Sequence, residues 1–146
     1  MSMKQSIDWD NLGFNAHETK SMYIAKFDSN GNCLDKGLVP YGDIKLSPAA
    51  TVLNYGQGVF EGTKAYETSK KRVVFFRLDE NAKRFKNSCL RLCMPEISNQ
   101  MFINAIKETV LDNLEYMPKK EQGSLYIRPL AFGSGCLLYT SPSPRD

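Results

Sequence analysis

The first half of the chain contains segments in which apolar and polar residues alternate as they do in β-strands. Residues 21–27, SMYIAKF, alternate in this way and predict a strand with one buried face. A turn cluster at 28–32, DSNGN, predicts a hairpin with a second strand at 33–39. A second hairpin is predicted from 63–67 and 72–77, and its RVVFFR strand is expected to be largely buried.

Apolar residues recur at helical spacing in the middle of the chain. Ser47 followed by Pro48 predicts the N-cap and first turn of a short helix. Asp79 is expected to cap a second helix, which Pro95 stops, and Ser98 is expected to cap a third. The predicted core positions are Ala82, Phe85, Cys89 and Leu92 or Cys93 in the second helix, and Phe102, Ala105, Ile106, Val110, Leu114 and Met117 in the third.

A last strand is predicted at 124–130, where Tyr126 and Arg128 alternate with apolar residues and therefore share one face. Strands and helices in this order predict an α+β two-layer domain with helices on one side of a mostly antiparallel sheet. The length of 146 residues is sufficient for one domain and short for two.

The composition excludes several classes of partner. Nineteen basic and 16 acidic residues give a net charge of +3, which does not indicate nucleic-acid binding. No window approaches the roughly 18 apolar residues of a membrane helix, and residues 1–11 resemble neither a signal peptide nor a transit peptide. A cytoplasmic location is therefore predicted, with an organelle left open. Four cysteines are expected to stay reduced, and the single histidine, His17, argues against a zinc site.

The segment at 54–62, NYGQGVFEG, has the composition of a pocket lining. Its glycines allow close backbone approach to a bound group, while Tyr55 and Phe60 supply rigid apolar walls. The glycines follow the spacing GxGxxxG rather than the GxGxxG of dinucleotide-binding loops, and the next residues are Thr-Lys rather than the Lys-Ser or Lys-Thr of a P-loop. Both nucleotide interpretations are therefore weak.

This segment, together with KRFKNSCLRLCMPEIS at 83–98 and GSLYIRP at 123–129, resembles the branched-chain amino acid aminotransferase family. The resemblance extends over about residues 12–135 and implies the smaller amino-terminal domain of a fold-type IV transaminase. Intact members are homodimers that use pyridoxal 5'-phosphate. They move the amino group of leucine, isoleucine or valine to 2-oxoglutarate, forming glutamate by a ping-pong mechanism.

The resemblance implies that Arg84 binds the cofactor phosphate, a role that suits the bidentate geometry of a guanidinium group. The alternative is that Arg84 belongs to a solvated basic helix face together with Lys83 and Lys86. On spacing alone this alternative is favoured, and the match to the surrounding block reverses the order.

The resemblance also implies a substrate site. Tyr126 and Arg128 match residues that face the substrate, and the arginine receives the side-chain carboxylate of glutamate. Phe14, Tyr55 and Phe60 match aromatic residues that line the pocket for an aliphatic side chain. The alternatives are an ordinary strand pair at a sheet edge and simple core packing of the aromatic residues.

No residue of the chain is predicted to be catalytic. The family places the Schiff-base lysine, and the carboxylate opposite the pyridine nitrogen, in a second domain that this sequence does not match. Residues 1–135 are therefore expected to form an amino-terminal domain that is inactive alone. Residues 136–146, CLLYTSPSPRD, are expected to be a disordered tail of cloning or read-through origin.

Two other functions stay open. A D-amino acid transaminase or aminodeoxychorismate lyase shares the general plan, but predicts a different residue at Arg128 and a shorter block near 89–95. A non-catalytic fragment, in contrast, would at most bind an intact protomer. The sequence does not rank leucine, isoleucine and valine.

Overall fold

A computed structural model of the protein describes residues 7–9 and 17–135. Within these ranges all paired strands are antiparallel, and they form three small sheets with the orders β1-β2, β3-β7 and β5-β4-β6. The strands are β1 Ser21–Phe27, β2 Cys33–Pro40, β3 Gly58–Phe60, β4 Thr63–Glu67, β5 Val73–Phe75, β6 Leu125–Ile127 and β7 Leu130–Phe132. The helices are α1 Thr51–Tyr55, α2 Leu78–Arg91 and α3 Asn99–Asp112, followed by a 3-10 turn at Leu114–Tyr116. The predicted α+β class is confirmed.

The two predicted hairpins are present. Strand β1 pairs with β2 in continuous register from Ser21 opposite Pro40, with an irregularity at Lys26 and Phe27. The side chain of Asp28 closes the intervening turn by accepting hydrogen bonds from the backbone N–H groups of Asn30 and Asn32.

The second hairpin, β4 with β5, differs from the prediction in its burial. Only Val73 and Phe75 of its second strand are half-buried, whereas Val74 and Phe76 are exposed. Successive side chains of a strand point to opposite faces of the sheet, and only Val73 and Phe75 of β5 pack against the core. The expectation that RVVFFR is largely buried was therefore wrong.

The core lies between the β5-β4-β6 sheet and the apolar faces of α2 and α3. The rings of Phe85 and Phe102 meet at its centre, with their centroids 5.1 Å apart. The buried apolar residues are Ala65, Leu78, Ala82, Phe85, Cys89, Met94, Phe102, Ile106 and Val110. The predicted helix faces are thus confirmed at their middle positions, but Leu92, Cys93 and Leu114 are exposed because the helices end before them.

Helix α2 begins and ends elsewhere than predicted. Its N-cap is Arg77, which has a left-handed backbone with φ of 48° and makes no capping side-chain hydrogen bond. Asp79 lies inside the first turn, where its carboxylate interacts favourably with the helix dipole. The helix ends at Arg91 and the chain turns through Cys93, whose φ is 53°, before Pro95 is reached. Asp79 is therefore not the cap, and Pro95 is not the residue at which the helix ends.

The other two predicted caps had opposite outcomes. The hydroxyl of Ser98 accepts a hydrogen bond from the N–H of Met101 at 3.2 Å, which confirms Ser98 as the N-cap of α3. The hydroxyl of Ser47 instead accepts from the N–H of Ala49 in a turn, and α1 begins only at Thr51.

The predicted last strand, 124–130, is two strands in different sheets. Strand β6 pairs with β4, whereas β7 pairs with β3. Pro129 stands between them; it has no N–H to donate, but its carbonyl accepts a hydrogen bond from the N–H of Glu61 at 2.9 Å. At this junction, Glu61 and Gly62 lie opposite Arg128 and Pro129.

Several sequence expectations concern residues outside the described ranges, namely Phe14 and the tail at 136–146. Within the described ranges, no helix has the length and apolar character needed to cross a membrane. Cys33, Cys89 and Cys93 are free thiols, and burial raises the pKa of Cys89. No cluster of potential metal ligands occurs among the residues that the structure describes.

Asn113 provides a test of how the first hairpin is fixed to the core. Its side chain, only 2% exposed, accepts from the N–H of Ser21 and donates to the oxygens of Ser21 and to the carbonyl of Thr109. We expect Asn113→Ala to lower the free energy of unfolding by about 2 kcal/mol, because buried backbone groups lose their partners. Urea denaturation measures this change.

The matched control is Asn104→Ala, which removes an exposed asparagine of α3 whose side chain bonds Gln100. We expect it to change the free energy of unfolding by less than about 0.5 kcal/mol. Equal effects of the two substitutions would contradict the proposed attachment of β1 to α3.

Candidate functional site

The candidate site is built around the two residues between β3 and β4, here called the Glu61–Gly62 link. The phenol of Tyr126 lies directly against Gly62, since a Cβ atom added to this glycine would be 2.5 Å from the Tyr126 hydroxyl oxygen. Tyr126 is brought there by the pairing of β6 with β4, which places it opposite Lys64. The feature of Gly62 that favours glycine is this close packing, because its backbone is not left-handed.

Phe60, Tyr126 and Arg128 form an exposed cluster beside the link. The Nε of Arg128 donates a hydrogen bond to the Tyr126 hydroxyl at 2.9 Å. The guanidinium carbon lies 4.5 Å from the centre of the Phe60 ring and 5.2 Å from that of Tyr126. These are cation–π distances, so the aromatic rings hold the arginine in place while leaving it in contact with solvent.

Arg84, on α2, approaches the other side of the link. Its Nε and Nη2 atoms lie 3.0 and 2.9 Å from Oε2 of Glu61, and the side chains are 63% and 13% exposed, respectively. Hydrogen bonding to Glu61 raises the pKa of Arg84, and the Coulombic attraction of the same carboxylate adds to this effect. The other carboxylate oxygen of Glu61 accepts from the N–H of Gly62 at 3.1 Å.

The neighbouring lysines of α2 are arranged differently. Lys83 pairs with Glu80 and Asp79 of its own helix, and Lys86 pairs with Glu96. Exposure does not set the lysines apart from the arginine, since the side chains of Lys83, Lys86 and Arg84 are 53%, 33% and 63% exposed, so the alternative of a solvated helix face stays open for all three. What distinguishes Arg84 is its contact with the glycine-rich segment.

One open groove, here called the Arg84–Tyr126 groove, has both of these residues in its lining and a volume of about 460 Å³. Gly62 lies in its wall, so that the cation from α2 and the phenol from β6 border the same space. The remaining lining residues are Thr63, Lys64, Tyr66, Phe76, Arg77, Glu80 and Asn81. A groove with arginine, lysine and phenol donors is suited to binding an anion.

The structure brings together four of the six predicted site residues: Phe60, Arg84, Tyr126 and Arg128. Tyr55 lies apart from their contacts, at the end of α1 and 72% exposed. Phe14 lies outside the described residues. The predicted roles of these residues stay predictions.

Two residues that the sequence analysis did not single out hold the site together. One is Glu61, whose charge between Phe60 and Gly62 is unusual for a pocket lining and could have indicated an ion-pair partner. The other is Asn81, which is 8% exposed and donates from Nδ2 to the carbonyl of Gly62 at 3.1 Å. The sequence signal for Asn81 is that a polar residue stands next to the apolar face of α2.

Comparison with curated proteins finds relatives that are branched-chain amino acid aminotransferases. The chloroplastic branched-chain-amino-acid aminotransferase 2 of Arabidopsis thaliana is 46% identical over 138 residues, which are 94% of this chain and 36% of the relative. The mitochondrial branched-chain amino acid aminotransferase 1 of Humulus lupulus is 44% identical over 140 residues, 96% of this chain and 36% of the relative. The chain is homologous to branched-chain aminotransferases. It spans about a third of the length of these relatives.

Solved branched-chain aminotransferases share the fold. The enzyme of Thermoproteus uzoniensis, solved with norvaline, has a TM-score of 0.60 and 28% identity, covering 81% of this chain and 35% of that one. The T.th. enzyme, solved with N-(5'-phosphopyridoxyl)-L-glutamate, has a TM-score of 0.56 and 41% identity, covering 68% of this chain and 32% of that one. No protein-family model matches the chain.

Substitution of Gly62 tests the packing of Tyr126. We expect Gly62→Ala to lower the free energy of unfolding by about 1 kcal/mol, because the half-exposed side chain of Tyr126 must move away from the added methyl group and lose its contacts. Gly42→Ala is the matched control, since a Cβ there would meet no atom within 4 Å. In the Gly62→Ala background, Tyr126→Phe is expected to recover part of the loss.

Urea denaturation of the single and double variants measures both effects. If Gly62→Ala were as stable as Gly42→Ala, or if Tyr126→Phe recovered nothing, the placement of the phenol against Gly62 would be contradicted.

Proposed function

We propose that this chain supplies the phosphate-binding arginine and part of the substrate pocket of a branched-chain amino acid aminotransferase that uses pyridoxal 5'-phosphate. The observation that carries the proposal is that Arg84 and Tyr126 line one groove, with Phe60 and Arg128 clustered beside it. Homology to branched-chain aminotransferases supports the same assignment. The cofactor belongs to the proposal because relatives have been solved with phosphopyridoxyl-glutamate and with pyridoxamine 5'-phosphate.

The geometry of Arg84 fits a phosphate group. A guanidinium has two edges that can each donate two parallel hydrogen bonds. Glu61 contacts the edge formed by Nε and Nη2, which leaves the Nη1–Nη2 edge available. The side chain is largely exposed, so that an anion can reach that edge.

The pyridoxal group, when bound, supplies the electron sink for amino-group transfer. In our proposal the residues of this chain bind and orient the cofactor and the substrate. Arg84 binds the phosphate, while the Tyr126 hydroxyl and the guanidinium of Arg128 receive a substrate carboxylate. The hydrogen bond and ring contacts of Arg128 hold its charge in one place, which reduces the entropy lost on binding.

Aromatic and cationic groups in one cluster suit a pocket with two kinds of substrate. The exposed ring of Phe60 provides an apolar wall for the side chain of leucine, isoleucine or valine, and Arg128 can donate hydrogen bonds to the second carboxylate of glutamate or 2-oxoglutarate. Solved relatives contain norvaline in one case and a glutamate adduct in another. Tyr55 and Phe14 are proposed to add to the apolar wall in the assembled enzyme.

We also propose that the intact enzyme is a homodimer in which residues 1–135 form the amino-terminal domain. The assignment of the tail at 136–146 stays a prediction. So does the cytoplasmic location, because curated relatives include both chloroplastic and mitochondrial proteins.

Calorimetric titration with pyridoxamine 5'-phosphate tests the phosphate assignment on the full chain. We expect Arg84→Lys to weaken its binding by about tenfold to a hundredfold, because a lysine cannot make the bidentate contact and charge-assisted hydrogen bonds contribute about 1.5–3 kcal/mol. Lys86→Arg, outside the groove lining on the same helix, is the control and should bind as the wild type does.

Pyridoxamine without the phosphate completes the test, since its weaker binding should be the same in all three proteins. Unchanged affinity of Arg84→Lys for the phosphorylated compound would rule out Arg84 as the phosphate ligand.

A further inference from the structure

Glu61 has no assigned role in the site, although it makes the closest polar contacts to Arg84. We propose that Glu61 is a positioning residue, which holds the Nε edge of Arg84 so that the Nη1–Nη2 edge faces the phosphate. This inference rests on the proposed function of Arg84. It adds a second residue to the phosphate site, one that acts through the arginine and does not touch the cofactor.

Glu61 contacts Arg84 from the Nε side of the guanidinium group. One oxygen of Glu61, Oε2, lies 3.0 Å from Nε and 2.9 Å from Nη2 of Arg84. A carboxylate on this side fixes the rotation of the guanidinium plane about the end of a long, exposed side chain. An arginine without such a partner would lose more rotamer freedom when it binds a phosphate.

Glu61 is itself firmly held. Its side chain is 13% exposed, and its second carboxylate oxygen accepts from the N–H of Gly62. The carbonyl of Gly62 accepts in turn from Asn81, which precedes Arg84 by one helix turn on α2. The Glu61–Gly62 link is therefore tied to one helix turn at two points, which suits a residue that must set the position of another.

The Glu61–Gly62 link also connects Arg84 to the proposed substrate-binding residues. Gly62 packs against the Tyr126 hydroxyl, and that hydroxyl accepts the hydrogen bond from Arg128. The same two-residue link thus fixes the separation between the phosphate arginine and the predicted carboxylate-binding pair. A transaminase needs this separation to be constant because the cofactor phosphate and the substrate carboxylate are held at the same time.

The sign of the change in phosphate affinity when Glu61 is removed shows whether this residue positions Arg84. A carboxylate close to an anion site repels the anion, so if Glu61 had no positioning role, its removal would strengthen phosphate binding. If it positions Arg84, its removal weakens phosphate binding despite the loss of repulsion. The two accounts therefore predict opposite changes in affinity.

The test is calorimetric titration of the full chain with pyridoxamine 5'-phosphate and with pyridoxamine. We expect Glu61→Ala to weaken binding of the phosphorylated compound by about tenfold, since a charge-assisted contact is lost. Glu61→Gln, which keeps the shape and one acceptor oxygen, should fall between this variant and the wild type. Binding of unphosphorylated pyridoxamine should not change.

Glu96→Ala is the matched control, because it removes the partner of Lys86 without touching the groove lining. It should bind as the wild type does. A spectroscopic readout separates positioning from general stability: the Nε–H resonance of Arg84 should exchange slowly with water in the wild type and rapidly in Glu61→Ala. Glu61→Gln supplies the comparison if Glu61→Ala does not fold.

Each outcome decides between the two proposals. Suppose that Glu61→Gln and Glu61→Ala bind the phosphorylated compound as tightly as the wild type or more tightly, while Arg84→Lys loses affinity as expected. This result would overturn the role of Glu61 and leave the phosphate site intact. If the wild-type chain did not distinguish the two compounds, the assignment of Arg84 would fail, and the role of Glu61 would fail with it.

Discussion

The arrangement of the site depends on the Glu61–Gly62 link, which is held between a helix and a strand. On the side of α2, Asn81 donates to the carbonyl of Gly62, and Arg84 contacts the carboxylate of Glu61. On the opposite side, the hydroxyl of Tyr126 occupies the space that a side chain at position 62 would need. Because both contacts converge on two consecutive residues, the position of α2 relative to β6 is fixed where the candidate site lies.

The fold was predictable where local chemistry determines it. Alternating residues defined the β1-β2 hairpin, and the hydroxyl of Ser98 could be identified as a cap from its position alone. The start of α2 was not predictable, because Arg77 adopts a left-handed backbone that a non-glycine residue rarely takes. The division of the last strand into β6 and β7 depends on partners distant in sequence, so that Pro129 alone did not reveal it.

The site was predicted only in part, because some of its contacts also join residues distant in sequence. A resemblance supplied Arg84, Tyr126 and Arg128 one residue at a time, and strand alternation placed the last two side by side. The contact of Arg84 with Glu61 joins residues 23 positions apart, and no local pattern indicates which acidic residue an exposed arginine meets. The packing of Tyr126 on Gly62 likewise requires the register of β4 with β6.

A crystal structure of the chain with pyridoxamine 5'-phosphate tests most directly whether Arg84 binds the phosphate while Glu61 holds its Nε edge. We expect the phosphate within hydrogen-bond distance of Nη1 and Nη2 of Arg84, while Glu61 keeps its contact with Nε and Tyr126 stays against Gly62. A phosphate bound away from Arg84, or bound to it only after Glu61 has been displaced from the guanidinium, would rule out the proposed roles of these two residues.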